Sequence, residues 1–271
     1  MLLIGLTGSI ATGKSTVSSI LSSPPYNLPI VDADLLARKV VEPGTAGYNA
    51  IVKYFSPTTP ELLVAPSESM PENGPDGQGR PLNRPALGRR VFGDDPQRKK
   101  DRGVLNSIVH PAVRKEMALA IGRAYLCGKK AVVLDVPLLF ESKLDVYCGT
   151  VMVVAVRDPE VQMQRLMKRD AHLSREDAEN RVKSQGDVRE KARRAEERGG
   201  VVVWNDGDRE ELEREIKRVM GEVESSSPGW WGWLLWLCPP AAVVVAGWRY
   251  WGNLRVNRAW EEKEGRERAK L

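Results

Sequence analysis

Cysteine is scarce in this chain of 271 residues, which has three, Cys127, Cys148 and Cys238. Their odd number and the lack of any C-x-x-C pair argue against a disulfide framework and against a structural zinc site. This usage is typical of a protein in a reducing, intracellular setting. A basic secretion signal is also missing, because an apolar run starts at Leu2, so we expect the N-terminus to be part of the fold.

A strong excess of charge of one sign is missing too. The 41 Lys and Arg residues exceed the 36 Asp and Glu residues by a formal net charge of +5. The two signs are interleaved along the chain, so this small surplus suits a polyanionic ligand without requiring a nucleic acid, and we predict no nucleic-acid partner. With 42% hydrophobic residues, the chain can bury one sizeable core and still carry an insertion or a tail.

The sequence does have a phosphate-binding motif near its start. Residues 8–15 fill every fixed position of G-x-x-x-x-G-K-[ST], and Leu2–Leu6 and Val17–Leu21 predict the strand and helix that must flank it. Glycines let successive N–H groups turn toward the phosphates, Lys14 would reach the β- and γ-phosphates, and the Ser15 hydroxyl would bind Mg²⁺. The predicted nucleotide-binding residues are Gly8, Ser9, Ile10, Ala11, Thr12, Gly13, Lys14, Ser15 and Thr16.

Short apolar runs alternate with helical patterns, which predicts an α/β fold with a parallel sheet flanked by helices. The predicted strands are Leu2–Leu6, Leu28–Asp32, Ala131–Val136, Thr150–Val156 and Gly200–Trp204. Residues 56–85 are rich in Pro, Gly, Ser and Glu, and we interpret them as a mobile surface insertion. The charged helical pattern of residues 157–198 predicts a lid over the nucleotide, or otherwise a set of solvated helix faces.

Two carboxylates, Asp32 and Asp34, follow the second predicted strand. The carboxyl end of that strand should lie at the same edge of the sheet as the phosphate motif. Because side chains alternate along a strand, the two would point to one side, where one can accept a proton from an acceptor hydroxyl while the other orients Mg²⁺ through water. The alternative is that Asp34 only caps the helix predicted over Leu35–Val41.

Further blocks make the chain resemble the dephospho-coenzyme A kinases from Met1 to about Gly221. After the phosphate motif they are Asp32-Ala33-Asp34 with residues 37–44, Arg84 with Leu87 and Val91-Phe92, Leu105-Asn106 before His110-Pro111, residues 137–141, and Gln164-Arg165-Leu166 with Arg169-Asp170. A shared phosphate motif alone would be weak support, whereas six blocks in the family's order are specific.

The resemblance implies a P-loop fold like that of the nucleoside-monophosphate kinases, with a core, a helical substrate region and a lid. It also implies transfer of the γ-phosphoryl group of ATP, with Mg²⁺, to the ribose 3′-hydroxyl of dephospho-CoA, the last step of CoA synthesis. Residues 1–224 would form this kinase domain and residues 225–271 a separate tail.

The resemblance also assigns roles to residues that would carry out the transfer and bind ATP. Asp34 would be the base that accepts the 3′-hydroxyl proton, acting with Lys14. Arg165 and Arg169, one helical turn apart, would neutralise charge on the transferring group, or else form only surface salt bridges. Asn205 would contact the adenine base.

On the acceptor side, the resemblance places four residues near dephospho-CoA: Asp32, Arg84, His110 and Glu141. His110 would contact the ligand, or else only orient or pack against neighbouring groups. Pro111 would begin a helix there. Asp135, at the end of a predicted strand, is an open candidate for Mg²⁺ binding.

Three other classes compete with this interpretation. Another small-molecule kinase of the same fold, such as a nucleoside or shikimate kinase, would keep the same motifs and differ only in its acceptor. A regulatory GTPase is disfavoured, because no Asn-Lys-x-Asp motif occurs and the only Asp-x-x-Gly, Asp76–Gly79, lies in the predicted insertion. A catalytically inactive scaffold tethered to a membrane is disfavoured by the intact Lys14, Ser15, Asp34, Arg165 and Arg169.

The last part of the chain differs in kind. Residues 230–251 carry only one charge, on Arg249, and exceed the roughly 20 residues that cross a bilayer core. Aromatic residues crowd both ends, as in interfacial belts. We therefore predict a transmembrane helix that anchors a cytosol-facing domain to an organelle membrane. Pro239-Pro240 argues against a straight helix, so an interfacial hairpin and a tail packed on the protein or on a partner remain alternatives.

Overall fold

The computed structural model describes residues 1–170, 173–184, 187–225, 228 and 230–268. Its strands are β1 Leu2–Gly8, β2 Ile30–Asp32, β3 Ala131–Asp135, β4 Thr150–Ala155 and β5 Val201–Trp204. They form one sheet in the order β2-β3-β1-β4-β5, in which β1 runs parallel to β3 and β4, and β4 runs parallel to β5. The five predicted strands and the α/β fold class are confirmed.

Helices lie between these strands in sequence and follow the last of them. They are α1 Lys14–Ser22, α2 Ala33–Lys39, α3 Ala46–Phe55, α4 Arg84–Val91, α5 Pro96–Leu126, α6 Pro159–Arg169, α7 Arg175–Ser184, α8 Val188–Glu197, α9 Arg209–Ser225, α10 Trp231–Leu237 and α11 Pro239–Arg268, with a 3₁₀ turn at Leu144–Tyr147. Helices α6, α7 and α8 occupy the predicted lid region. Residues 171–172 and 185–186 of that region lie outside the described residues.

The chain divides into two compact units. The first comprises residues 1–31 and 123–271, and the second comprises residues 32–122. The core of the first unit joins the sheet to α1 and α9, with Ile4, Leu6, Val17, Leu21, Val133, Met152, Val154, Val203, Leu212, Ile216 and Val219 all buried. This burial explains why the strands appear in the sequence as near-continuous apolar runs.

A close approach inside the first unit requires glycine at position 5. A Cβ placed on Gly5 would lie 2.7 Å from Cys148 Sγ and 2.8 Å from Leu139 Cδ2. Burial raises the pKa of the Cys148 thiol to about 12, so the group stays protonated at neutral pH and packs as a small apolar side chain. The three cysteines are free, as the sequence predicts.

The second unit has its own small core, formed by Ile51, Phe55, Leu62, Leu87 and Val91. Because Leu62 belongs to this core, the start of the predicted insertion is fixed to the unit. The rest of residues 56–83 is irregular, with isolated bridges from Leu63 to Leu82 and from Ser67 to Met70. Mobility of this segment stays a prediction.

The prediction that Pro111 opens a helix is wrong, because α5 runs from Pro96 to Leu126 and Pro111 lies inside it. This helix starts instead at Pro96, after Asp95, whose carboxylate accepts from the N–H groups of Gln97 and Arg98 at 3.0 and 3.3 Å. Pro111 removes one backbone hydrogen bond from α5. Packing of the preceding turns of the helix against the core offsets this loss.

The predicted single spanning helix is also wrong. Helices α10 and α11 meet around Cys238 at an angle of 117°, because Pro239 and Pro240 lack the N–H groups that would continue α10. Among the described residues no single helix is long and apolar enough to cross a bilayer. The two helices of this bent pair are long and apolar enough only when they are taken together.

The C-terminal half of α11 packs against the rest of the first unit through a buried polar cluster of Asp145, Arg198 and Asn257. Asn257 Nδ2 donates to Asp145 Oδ2 at 2.8 Å, and Arg198 pairs with the same carboxylate and donates to Asn257 Oδ1 at 3.1 Å. Burial lowers the pKa of the Arg198 guanidinium to about 10, so it remains charged at neutral pH and neutralises Asp145. Asn253 adds bonds to the carbonyls of residues 146 and 148 at 2.9 and 3.0 Å.

This cluster predicts that the tail contributes to the stability of the first unit. We expect Asn257→Ala to lower the free energy of unfolding by about 1–3 kcal/mol, because it leaves buried polar groups without a partner. Urea denaturation of the full chain measures the change. Arg258→Ala, at the exposed neighbouring position, is the control and should leave the midpoint nearly unchanged. Equal midpoints for both variants would show that the cluster adds nothing.

Candidate functional site

The phosphate motif forms the turn between β1 and α1. β1 ends at Gly8 and α1 begins at Lys14, so the motif lies at the carboxyl end of a central strand and at the amino end of a helix. Gly13 has φ of 94° and Ala11 has φ of 60°, both in the left-handed region. Such a turn exposes several N–H groups on one side next to the positive end of the helix dipole, which is the geometry that binds phosphate.

The lysine of the motif has an acidic partner. Lys14 Nζ donates to Asp135 Oδ1, and Asp135, the last residue of β3, is 3% exposed. β1 and β3 are neighbours, and Leu6 is in register with Asp135, so the sheet itself brings the carboxylate to the motif. The buried charge is neutralised by Lys14, and the lysine is oriented before any phosphate arrives.

Mg²⁺ has a small set of oxygen donors here. The Ser15 hydroxyl is exposed at the start of α1, and the Asp135 carboxylate lies beside the preceding lysine. The described residues contain no group of three or more His, Cys, Asp or Glu side chains suited to hold a metal ion alone. Magnesium commonly binds through one or two protein groups, waters and substrate phosphates, so these donors fit an ion that arrives with a nucleotide.

Arg165 and Asn205 lie together in the first unit. The Arg165 guanidinium donates to the backbone carbonyls of Asn205 at 2.6 Å and Gly207 at 3.0 Å. Asn205 is buried, and its Nδ2 donates to the carbonyl of Thr12 in the phosphate motif at 2.8 Å. Contact of Asn205 with adenine and of Arg165 with the transferring group stay predictions.

Arg169 lies one turn further along α6. Its Nε and Nη2 atoms donate to the Asp170 carboxylate at 3.2 and 3.1 Å, and Arg181 also approaches that carboxylate, at 3.5 Å. The surface salt bridge considered for Arg169 is therefore present in this structure. A role toward the transferring phosphoryl group stays a prediction.

In the second unit, Asp32 and not Asp34 caps the following helix. The Asp32 carboxylate accepts from the N–H groups of Asp34 at 2.8 Å and Leu35 at 3.0 Å, which satisfies the first turn of α2. The Asp34 side chain is exposed and does not serve this purpose. The N-cap role that was the alternative for Asp34 therefore belongs to Asp32.

An open cavity of about 340 Å³ in the second unit brings Asp34 together with two arginines. Arg38 lies one helical turn after Asp34 on α2, and Arg84 begins α4. The remaining lining is apolar: Ala37, Val41, Ile51, Leu82, Leu87, Leu105 and Val109. A cavity with an apolar wall, two guanidinium groups and one carboxylate can hold a flat apolar group beside phosphates and place one base.

Of the four predicted acceptor residues, only Arg84 lines this cavity. Asp32 is the N-cap of α2, and its contact with the acceptor stays a prediction. The other two, His110 and Glu141, lie elsewhere. His110 is on an exposed face of α5, outside the lining of this cavity. Glu141 belongs to the first unit, where Lys191 Nζ pairs with its carboxylate at 2.8 Å. Both assignments to acceptor binding stay predictions.

Sequence reasoning missed two residues next to these sites, Arg38 and Gln162. Arg38 occurs in a matched block without a role. Gln162 is 3% exposed, and its Nε2 donates to the carbonyl of Ile10 in the phosphate motif at 2.7 Å. A signal was present, since Gln162 and the buried Leu166 are four apart and share one face of α6.

The separate duties of the two aspartates can be tested by stability. We expect Asp32→Ala to lower the free energy of unfolding by about 1 kcal/mol, because α2 loses its N-cap. Asp34→Ala is the matched control and should change stability by less than about 0.5 kcal/mol, as exposed substitutions usually do. Urea denaturation distinguishes the two, and a larger loss for Asp34→Ala would contradict the assignment.

Comparison with known proteins gives a consistent result. A model of the dephospho-CoA kinase family matches residues 2–211, which ends before α10 and α11. The chain is 44% identical over 227 residues to dephospho-CoA kinase CAB5 of Saccharomyces cerevisiae, covering 83% of this chain and 84% of the yeast protein. It is 42% identical over 217 residues to the dephospho-CoA kinase of Bacillus cereus, covering 80% and 94%.

Two solved structures resemble this one. TT1252 from Thermus thermophilus superposes with a TM-score of 0.60 at 31% identity and covers 82% of this chain and 97% of its own. Dephospho-CoA kinase from Campylobacter jejuni gives a TM-score of 0.58 at 27% identity and covers 83% and 98%.

Proposed function

This chain belongs to the dephospho-CoA kinase family, and we propose how its two units divide that family's reaction. The protein phosphorylates dephospho-CoA at the expense of ATP, the final step of CoA biosynthesis. We infer that the first unit binds ATP and that the second binds the acceptor. The observation that carries this division is the cavity that joins Asp34 to Arg38 and Arg84 within the second unit.

On the donor side, the N–H groups of residues 8–15 and the Lys14 ammonium hold the triphosphate. Asp135 keeps Lys14 in place, so little reorganisation is needed when the nucleotide binds. The Ser15 hydroxyl, with Asp135 close by, would hold Mg²⁺, which supplies positive charge to the β- and γ-phosphates. Arg165 and Arg169 are proposed to add guanidinium groups on the α6 side.

On the acceptor side, the cavity of the second unit suits the nucleotide end of dephospho-CoA. Its apolar wall accepts a base, and Arg38 and Arg84 match the charge of the diphosphate. Asp34 accepts the proton of the 3′-hydroxyl while the hydroxyl oxygen attacks the γ-phosphorus of ATP. The bond from that phosphorus to the β,γ-bridging oxygen breaks, and ADP leaves. Asp32 contributes by fixing the first turn of α2, and therefore the position from which Asp34 acts.

The role of Asp34 is tested by Asp34→Asn. We expect kcat with dephospho-CoA to fall about 100-fold or more, because the amide cannot accept the proton, while the Kd for ATP changes little. Steady-state kinetics and calorimetry on the full chain measure the two quantities. A turnover number near that of the unchanged protein would exclude Asp34 as the base.

The acceptor is tested by mass spectrometry of the product. Incubation of the full chain with ATP and dephospho-CoA, adenosine or shikimate should add one phosphate to dephospho-CoA alone. Transfer to adenosine or shikimate instead would favour a different kinase of the same fold. Lys14→Ala is the control for a contaminating kinase and should abolish the transfer.

We also propose that the tail meets a lipid surface and holds the kinase at an intracellular membrane. Its two helices expose a set of large apolar side chains: Trp230, Trp233, Leu237, Val243, Val244, Trp248 and Trp251. Arg249, Arg255 and Arg258 are exposed on α11. Exposed tryptophans beside basic residues favour in-plane binding to an anionic bilayer interface.

Flotation with vesicles of phosphatidylcholine, with and without about 30% phosphatidylserine, tests this proposal. We expect the full chain to float with the anionic vesicles, and Trp233→Ala combined with Trp248→Ala to reduce the bound fraction by about tenfold, since each exposed indole contributes burial at the interface. Trp260→Ala is the control and should leave the bound fraction nearly unchanged, because Trp260 is outside the exposed set. No binding to either vesicle would exclude the lipid surface.

A further inference from the structure

Two side-chain amides from outside the phosphate motif donate hydrogen bonds to its backbone carbonyls. Gln162 Nε2 donates to the carbonyl of Ile10 at 2.7 Å, and Asn205 Nδ2 donates to the carbonyl of Thr12 at 2.8 Å. Both side chains are buried, at 3% and 7% exposure. The motif is therefore restrained at two of its inner peptide units by residues that lie 152 and 193 positions away in sequence.

The two bonds control where the phosphate-binding N–H groups point. In a trans peptide the C=O of one residue and the N–H of the next point in opposite directions. Fixing the carbonyl of Ile10 on one side therefore fixes the N–H of Ala11 on the other, and the carbonyl of Thr12 does the same for Gly13. These are the two residues of the motif in the left-handed region, where backbone strain needs support from its surroundings.

The amides are themselves fixed by one turn of α6. Gln162 and Arg165 are three apart and lie on neighbouring positions of that helix. Arg165 donates to the carbonyls of Asn205 and Gly207, and so anchors the loop that carries the second amide. A single helix turn thus restrains the motif directly through Gln162 and indirectly through Asn205.

The contact with Asn205 leaves no space for a side chain on the motif. A Cβ on Gly13 would lie 2.2 Å from Asn205 Nδ2, closer than two non-bonded heavy atoms approach. The glycine at position 13 is therefore required by this amide as well as by its φ of 94°.

We propose that Gln162 is a positioning residue for ATP, with Asn205 as its partner: it sets the N–H groups of the motif in their phosphate-binding orientation before ATP arrives. This inference rests on the proposed function of the motif as the ATP site. Gln162 touches neither ATP nor the acceptor in this role. Its loss should therefore weaken ATP binding and leave the KM for dephospho-CoA unchanged.

Gln162→Glu gives a test that depends on pH. A protonated carboxyl can still donate to the carbonyl of Ile10, whereas a carboxylate cannot and repels it, and burial raises the pKa of such a carboxyl. We expect the Kd for ATP, relative to the unchanged protein at the same pH, to rise about tenfold or more at pH 8 and by less than about threefold at pH 5.5. Calorimetry on the full chain measures both.

The control is Gln164→Glu, which adds the same charge at an exposed position two residues away on α6. It should give a ratio near one at both pH values. If Gln162→Glu fails to fold, Gln162→Met takes its place, since it keeps the length and removes the donor. For that variant we expect a rise in Kd of about fivefold with an unchanged melting temperature.

The outcomes separate the two claims. If the unchanged protein does not bind ATP, the proposed function fails. If it binds ATP and the ratio for Gln162→Glu stays near one, or is equally high at both pH values, the positioning role is overturned. An equal rise in the KM for dephospho-CoA would also overturn it, because that result indicates a general loss of structure.

Discussion

The turn between β1 and α1 is the constraint on which the first unit depends. Five residues separate Gly8 from Lys14, and the turn must present N–H groups on one side while its carbonyls find partners on the other. Side chains from α6 and from the end of β5 supply partners for two of those carbonyls. The neighbouring strand β3 supplies the carboxylate that holds Lys14. A short turn therefore determines what three distant parts of the chain must provide.

In the second unit, two acidic residues lie at the start of α2, and only one of them is needed to cap the helix. Helix starts leave N–H groups that attract the nearest carboxylate. Asp32 accepts two of them, which leaves the Asp34 side chain at the cavity with Arg38 and Arg84. In the proposed mechanism, Asp32 caps the helix and Asp34 acts as the base. A single aspartate would have to accept the helix N–H groups and the proton of the acceptor with the same carboxylate.

Much of this arrangement could be predicted from the sequence. The strands were predictable because buried parallel strands are continuous apolar runs, and the phosphate turn was predictable because its glycine and lysine positions are fixed by backbone geometry. Pro111 was misjudged, since proline is common in a first helical turn, and only packing of the preceding turns keeps α5 intact around it. The single spanning helix was wrong because Pro239 and Pro240 end α10. Asn253 and Asn257, which attach α11 to the rest of the first unit, lie beyond the apolar run on which that prediction depended.

The sequence by itself determined the strands, the phosphate motif and the blocks that indicate the family, because each of these depends on residues that are neighbours along the chain. Only the tertiary structure decided which carboxylate caps α2, that Asp135 holds Lys14, and that Gln162 and Asn205 support the motif. These contacts join residues whose separation in sequence carries no periodic signal, and hydrogen bonds of buried side chains depend on positions set to within a few tenths of an ångström. Such positions exist only once the sheet and its helices have packed.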